Sequence, residues 1–262
     1  MDIPMDIFFG TLERPGKGRR AAFSGEEFAL MQVGYPLVTL IFYCLIASYS
    51  FKTSNLTSWV IGNAFLLCTD ACVFSLGNAF RGERYTGRLR SIIASPGTKL
   101  PLILANGLYP ALFAVVASVC GFLVGSLVFG VDFSGVHLGL AALTILCGMA
   151  SATCFGLFLS VFGLMNDSMH LVLNVVSYLL ILFTGAEFPV SQLPLAGRVI
   201  AQMMPLTKSI AAMNSLFSLE RGVFWTLIMA ELATGAAYAL LARFLFGFAE
   251  RCARRNGQFD LF

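Results

Sequence analysis

Two acidic residues, Asp70 and Glu231, lie inside apolar runs of the sequence and are the first candidates for chemistry. A charged side chain at the centre of a bilayer costs roughly 2.5–3.5 kcal/mol, so each carboxyl must face protein or water, or carry a proton. In one interpretation both acids line a polar pathway through a membrane or couple a proton. In the other each makes a hydrogen bond between helices, as Asp70 could with Thr69 or Asn63. We favour the hydrogen bonds.

The residue types that enzymes use do not fall into catalytic patterns here. His137 and His170 each lie near the end of a predicted span, and the chain has no Gly-x-Ser-x-Gly-like nucleophile turn. Cys68 and Cys72 are four positions apart, but no other Cys or His lies close in sequence, which favours packing over metal binding. No G-x-x-x-x-G-K-[ST] motif occurs, so the chain does not bind ATP through a P-loop. We therefore predict no catalytic residue, no metal site and no cofactor in this chain.

A third polar group is the stretch RGERYTGRLRSIIASPGTK, residues 81–99, which gathers six charges in a chain that is only 12% charged. Residues 81–96 read as an amphipathic helix that ends at Pro96-Gly97. Its apolar stripe consists of Tyr85, Leu89, Ile92 and Ile93, and Glu83, Arg84 and Arg90 lie away from it. Such a helix can lie flat at a membrane surface. It is either a plain surface helix in a positively charged loop or a docking site for another protein.

The elements that position these residues are apolar helices. The chain is 58% hydrophobic and holds 25 Phe in 262 residues, too much apolar surface for a soluble core of this size. The fold class predicted is an all-α, polytopic membrane protein with six transmembrane helices. The predicted spans cover residues 28–50, 57–80, 100–130, 136–165, 169–186 and 222–248.

The segments outside these spans differ in character. Residues 1–27 form a polar tail with a predicted interfacial helix, and residues 249–262 form a second, basic tail. Residues 187–221 are too broken for a span and too apolar for a free loop. Non-helical backbone at membrane depth is tolerated only where protein or a water-filled cavity covers it. We therefore predict two short helices there, at 195–204 and 206–220, separated by Pro205.

The basic residues predict the orientation. If both termini are cytoplasmic, 13 of the 17 Lys and Arg residues lie in the two tails, in the 81–99 stretch or at the cytoplasmic end of the last span. Cytoplasmic segments of membrane proteins carry this excess of positive charge. The net charge of +3 thus reports topology and does not indicate a nucleic-acid partner. We predict a multi-pass protein of a bacterial-type cytoplasmic (inner) membrane, with both termini in the cytoplasm.

The 81–99 stretch resembles the signature of the ABC-2 type permease family, the membrane subunits of one class of ABC exporters. Members carry Glu-Arg, then Gly-Thr-Leu-Glu, then a short apolar run and Ser-Pro. The matching positions here are Glu83, Arg84, Gly87, Leu89, Ser95 and Pro96. Arg88 stands where the family has Thr, and Arg90 where it has Glu. The resemblance implies a coupling helix at 81–96, in which Arg81, Glu83, Arg84, Gly87, Arg88 and Arg90 contact an ATPase subunit.

A second resemblance covers FTGAEFPVSQLPLAGRVIAQMMPLTKSIAAMNSLF, residues 183–217. It is similar to the family's segment before the last span, with Phe-Pro-Val, Leu-Pro and Pro-Leu-Thr in order. The resemblance implies short re-entrant helices that cap the pathway on the outside. The residues assigned to this outer gate are Glu187, Phe188, Pro189, Pro194 and Pro205. Glu187 either gates the pathway and contacts substrate or caps its own turn.

Taken together, the two resemblances imply a permease subunit of an ATP-driven exporter of a drug, peptide or lipid-like molecule. ATP and Mg²⁺ would bind a separate ATPase subunit, and the permease would work with a second copy or a related permease. An exporter of lipid-linked polysaccharide or lipo-oligosaccharide shares the same plan. A passive channel and an intramembrane enzyme are the alternatives from other classes, and the sequence favours neither.

Overall fold

The computed structural model describes residues 34–52, 55–78, 100–133, 135–163, 168–217 and 221–256. The described residues form helices and short connections, with no strand among them. The helices are α1 (Tyr35–Phe51), α2 (Thr57–Leu66), a π-helical segment (Thr69–Ser75), α3 (Leu100–Phe129), α4 (Leu138–Phe162), α5 (Met169–Phe183), a 3-10 turn (Val190–Gln192), α6 (Leu195–Met203), α7 (Thr207–Phe217) and α8 (Arg221–Asn256). The all-α class predicted from the sequence is confirmed.

Three helices contain stretches long and apolar enough to cross a membrane: Pro110–Phe129 in α3, Leu138–Phe162 in α4 and Gly222–Phe248 in α8. They coincide with the predicted third, fourth and sixth spans. On α3 large apolar side chains face outward, among them Val116 and Leu127, which expose 51% and 84% of their surface. An apolar exterior of this kind suits lipid and would be a liability in water. These helices indicate a membrane protein.

The other three predicted spans do not reach a membrane-spanning length within the described residues, and residues 28–33 of the first and 79–80 of the second lie outside them. α1 has 17 residues and α5 has 15. At 1.5 Å per residue α5 is about 22 Å long, less than the roughly 30 Å hydrocarbon core of a bilayer. α5 ends at Phe183, three residues before the predicted end of the fifth span. The six-span arrangement thus stays a prediction, and three spans are supported by helix length and composition.

The predicted second span is not one regular α-helix. α2 ends at Leu66, and the chain continues through the π-helical segment Thr69–Ser75. Gly156 of α4 packs tightly against this segment, since a Cβ at that position would lie only 1.8 Å from the carbonyl oxygen of Cys72. The Cys72 thiol lies 3.6 Å from Thr153 Oγ1 on the same helix. π-helical turns inside α-helices often occur at functional sites.

The core lies between α2, α3, α4 and α7. The contact between α4 and α8 is the most extensive of the helix–helix contacts, followed by those of α7 with α8 and of α2 with α3. Four phenylalanine rings form a chain of edge-to-face contacts through this core, with centroid distances of 5.8, 5.9 and 5.3 Å. The rings are Phe65, Phe122, Phe133 and Phe217. This packing fixes α7, a short helix, against the longer helices.

The two short helices predicted around Pro205 are confirmed as α6 and α7. Pro205 has no backbone N–H, and it lies between the end of α6 at Met203 and the start of α7 at Thr207. Leu206 has a φ of +70°, a left-handed conformation that turns the chain sharply. α7 is largely buried, whereas α6 exposes most of its residues.

Candidate functional site

The predicted site residues divide into those that the structure describes and those that it does not. The coupling stretch with Arg81, Glu83, Arg84, Gly87, Arg88 and Arg90 lies outside the described residues, as do the two tails and the side chain of Asp70. Glu231 lies inside them, and so do residues 187–217, the described part of the segment predicted to lie outside, which we call the outer segment. The structure brings Glu231 into contact with the turn at Pro205, and it places Glu187 against a different helix.

Glu231 on α8 is completely buried and accepts three backbone hydrogen bonds. Its Oε1 accepts from the N–H of Leu206 at 2.9 Å. Its Oε2 accepts from the N–H groups of Lys208 and Ser209, each at 3.2 Å. Both carboxyl oxygens are therefore used to hold the start of α7.

The start of α7 needs such an acceptor. The first N–H groups of any α-helix have no partner within the helix. The first intrahelical bond here runs from Ile210 N to Leu206 O, which leaves the N–H groups of residues 207–209 outside the helical pattern. A Ser, Asp or Asn at the cap normally supplies the acceptor. Here the carboxylate of Glu231 does so from a distant helix, and its negative charge also suits the positive end of the helix dipole.

Two further polar side chains of α8 fasten the same turn. Lys208 Nζ donates to Thr234 Oγ1 at 3.0 Å and to the carbonyl oxygen of Gln202. Tyr238 donates its hydroxyl hydrogen to the carbonyl oxygen of Met203 at 2.8 Å. Residues 231, 234 and 238 fall at i, i+3 and i+7, so they lie on one face of α8. We call Glu231, Thr234 and Tyr238 the α8 polar stripe.

The α8 polar stripe lies well inside the candidate span. Glu231 is nine positions beyond Gly222, where the apolar stretch Gly222–Phe248 begins. At 1.5 Å per residue this is about 14 Å along the helix axis. The backbone turn at Pro205 thus lies beside α8 at that level, and α7 runs back from it to Phe217, four residues before α8 begins. The turn is covered by protein on the side of α8.

Three buried hydroxyl groups lie close to this contact. Thr207 Oγ1, Ser209 Oγ and Ser151 Oγ have no hydrogen-bond partner in the part of the chain that the structure describes. Ser151 belongs to α4 and packs against Gly235, one turn beyond Glu231 on α8. Small and hydroxyl-bearing residues are common where membrane helices approach closely. The interface of α4, α7 and α8 at this level is therefore polar as well as tightly packed.

Glu187 makes the second contact of interest. Its Oε1 accepts a hydrogen bond from Asn63 Nδ2 at 3.0 Å, and that amide also donates to the carbonyl oxygen of Trp59. The backbone approaches closely at the same place, since a Cβ at Gly62 would lie 2.4 Å from Ala186 Cα. Glu187 therefore ties the segment after α5 to α2. The two predicted roles of Glu187, gating with substrate contact and capping of its own turn, stay predictions.

Partial burial raises the pKa of the Glu187 carboxyl, and the hydrogen bond from Asn63 partly offsets the rise.

Of the other residues assigned to the outer gate, Phe188, Pro189 and Pro194 are exposed and Pro205 is buried. The outer segment thus has an exposed end near the 3-10 turn and a buried end at the start of α7.

Four of the residues that build these contacts were not predicted: Asn63 as a partner of Glu187, and Lys208, Thr234 and Tyr238 around Glu231. The spacing of Glu231, Thr234 and Tyr238 on one face of an apolar helix is a signal that the sequence carries. It indicates a buried polar contact but does not identify the partner.

No protein-family model matches the chain, and a comparison with curated proteins finds no match.

Proposed function

We propose that this chain is the permease subunit of an ATP-driven exporter of the ABC-2 type, which moves a hydrophobic or amphiphilic molecule outward across a cytoplasmic membrane. In this proposal the chain has six spans, and residues 187–221 dip into the outer leaflet as a cap over the pathway. The contact of Glu231 with the start of α7 is the observation that supports the proposal most strongly.

The support comes from where the contact lies. A turn that breaks the helical pattern is tolerated at membrane depth only if its backbone groups have partners within the protein. Glu231 supplies these partners about 14 Å along a candidate span, where a loop in water would use solvent instead. A broken segment that is fastened at depth beside the last span is the element that an outer cap requires.

The contacts also supply a route for mechanical coupling. In the proposal, ATP closes a dimer of separate ATPase subunits, which hold ATP and Mg²⁺ and pull on the helix at 81–96. In the chain, α2 is followed by the π-helical segment, and the proposed helix at 81–96 comes shortly after that segment. The hydrogen bond between Asn63 on α2 and Glu187 joins this route to the outer segment. Movement of α2 would shift the cap, and cargo would leave between two permease copies.

The experiment that tests the proposal is capture of the tagged, full-length chain from its native membranes. We expect an ATPase subunit to copurify with it. The double variant Glu83→Arg/Arg84→Glu exchanges two adjacent charges and leaves the net charge and the positive-inside bias unchanged. We expect this variant to reach the membrane in normal amounts and to lose the ATPase subunit, because its charge pattern no longer matches the partner surface.

A control variant separates local from general effects of charge. Arg19→Glu/Arg20→Glu changes charge in the N-terminal tail, which is predicted to lie on the same side of the membrane but outside the coupling helix. It should retain the ATPase subunit. If the wild-type chain copurifies with no ATPase subunit, or if the Glu83/Arg84 exchange leaves the complex intact, the proposal is wrong.

A further inference from the structure

One face of α5 is exposed along the helix, although α5 is apolar. The opposite face, with Leu173 and Leu180, is buried and packs in one cluster with Val73. The exposed residues that concern us are Leu171, Asn174, Val175 and Tyr178, and we call these four the α5 exposed face.

Two polar side chains interrupt the α5 exposed face. Asn174 lies five residues after Met169 and nine before Phe183, well inside the helix. Tyr178 follows one turn later and exposes 70% of its surface. Neither side chain has a hydrogen-bond partner in the part of the chain that the structure describes. Two polar groups thus remain open on the surface of an apolar helix.

The amide of Asn174 differs in this respect from other asparagines of the chain. Asn63, Asn78 and Asn214 each donate from Nδ2 to the carbonyl oxygen four residues earlier, at 3.0, 3.0 and 3.1 Å. On α5 itself, Ser177 Oγ donates to the carbonyl oxygen four residues earlier at 2.9 Å. Asn174 makes no such bond, so its donor and its acceptor are both available.

Lipid chains cannot satisfy this amide. In the predicted six-span arrangement α5 is the fifth span, and Asn174 lies about 7.5 Å along it from Met169. Hydrocarbon offers neither a donor nor an acceptor, so a polar group that faces it is costly. In membrane proteins such side chains form hydrogen bonds to neighbouring helices. The α5 exposed face is therefore better suited to contact with protein than to contact with lipid.

The geometry of a membrane favours a second copy of this chain as the partner. All copies insert with the same orientation, so a two-fold axis that relates two of them is perpendicular to the bilayer. Side chains close to that axis then meet their own counterparts at the same depth. Because an amide has both a donor and an acceptor, two Asn174 side chains can each donate to the other. A buried Asn fixes the register of paired helices in coiled coils in a similar way.

We propose that the α5 exposed face is the surface through which two copies of this chain associate. The Asn174 amides pair across the two-fold axis, and Leu171, Val175 and Tyr178 pack around them. The association requires α5 to be a membrane span and so rests on that part of the proposed function. It requires neither an ATPase subunit nor a cargo.

Energy transfer between fluorescently tagged copies of the full-length chain tests the association. The chain is purified without an ATPase subunit and reconstituted in phosphatidylcholine vesicles at increasing protein-to-lipid ratios. We expect Asn174→Leu, which removes no described contact, to weaken dimerisation about tenfold, the factor that two hydrogen bonds between membrane helices supply. Asn174→Gln keeps a donor and an acceptor and should retain most of the affinity. A wild-type chain that stays monomeric, or equal affinities of the wild type and Asn174→Leu, would overturn the proposal.

Cross-linking locates the contact. Leu171→Cys and Val116→Cys place a thiol on the exposed surfaces of α5 and α3 and leave Asn174 in place. With copper phenanthroline as the oxidant, we expect Leu171→Cys to form a disulfide-linked dimer several times faster than Val116→Cys or the wild-type chain, which has its own seven Cys. Equal rates would contradict the proposal. A cross-link from Leu171→Cys to a different membrane protein in native membranes would contradict it as well.

These results can be told apart from those that test the proposed function. A chain that captures an ATPase subunit but does not pair through α5 would refute this surface alone. A chain that pairs through α5 but captures no ATPase subunit would refute the exporter alone.

Discussion

Replacement of Glu231 by Gln tests the contact on which the architecture of the outer segment depends. The substitution preserves the size of the side chain but replaces one carboxylate oxygen by an NH₂ group and removes the negative charge. Three N–H groups at the start of α7 then compete for a single acceptor oxygen. The expected result is a local loosening of the turn at Pro205, with the rest of the bundle intact.

The magnitude follows from the hydrogen bonds. A hydrogen bond to a charged group is worth roughly 1.5–3 kcal/mol, and a neutral one about 1 kcal/mol. With the Gln oxygen in the place of Oε2, the bonds from Lys208 and Ser209 persist in a weaker form, and the N–H of Leu206 faces a donor. The local free energy of opening at the turn falls by about 2 kcal/mol for the bond from Leu206 and by about 1 kcal/mol for each of the bonds from Lys208 and Ser209, or by about 4 kcal/mol in total.

Amide hydrogen exchange of the detergent-solubilised protein, measured by mass spectrometry, reports this loss at the turn itself. A change of about 4 kcal/mol raises the local opening equilibrium on the order of several hundredfold, since each 1.4 kcal/mol is a factor of ten. Peptides that contain residues 206–209 should exchange faster by this factor, up to the limit set by global unfolding. Peptides from the middle of α4 should change little.

Glu187→Gln is the matched control, because it makes the same chemical change at a carboxyl that accepts a hydrogen bond from the Asn63 side chain and lies in a different part of the outer segment. It should leave exchange at residues 206–209 at the wild-type rate. If Glu231→Gln also leaves that rate unchanged, Glu231 does not hold the start of α7, and the argument that the turn is fastened at depth is incorrect.

Three further predictions concern stability. Tyr238→Phe removes one hydrogen bond to the turn and should lower the free energy of unfolding by about 1 kcal/mol in a detergent thermal melt; an unchanged melt would show that the bond contributes nothing. Because burial raises the folded-state pKa of Glu187 above its usual value of 4.5, the protonated form is favoured on folding, and stability should fall as pH rises through the window just above 4.5. Glu187→Gln should lack this dependence in melts recorded across that window, and a slope that persists would assign it to another group. Gly156→Ala places a methyl 1.8 Å from the Cys72 carbonyl oxygen and should lower the free energy of unfolding by roughly 1–3 kcal/mol or more. Gly139→Ala, on the same helix with open space around it, should leave the melt unchanged. Equal melts for the two variants would contradict the close approach at Gly156.

Much of the helical plan could be predicted because it depends on local composition. The stretches now seen as α3, α4 and α8 are long, apolar and bounded by polar residues, and hydropathy alone finds such helices. Pro205 carries its own local signal, since a residue without an N–H must interrupt a helix, and α6 and α7 lie on either side of it as predicted.

The partners of the polar residues could not be predicted, because they depend on contacts distant in sequence. Glu231 binds backbone N–H groups more than twenty residues away, and backbone groups have no signature in the sequence. Asn63 and Glu187 are 124 positions apart. The π-helical turn at 69–75 also has no composition signal of its own, and its close neighbour Gly156 lies on another helix.

Hydrogen exchange at residues 206–209 in the proposed complex with an ATPase subunit, with and without ATP and vanadate, tests the central claim most directly. The account holds that a motor acting at 81–96 moves the outer segment that Glu231 fastens. It predicts that nucleotide changes the exchange rate at these residues, and that Glu83→Arg/Arg84→Glu removes this response. A complex that hydrolyses ATP while exchange at residues 206–209 stays the same in all nucleotide states would contradict the account.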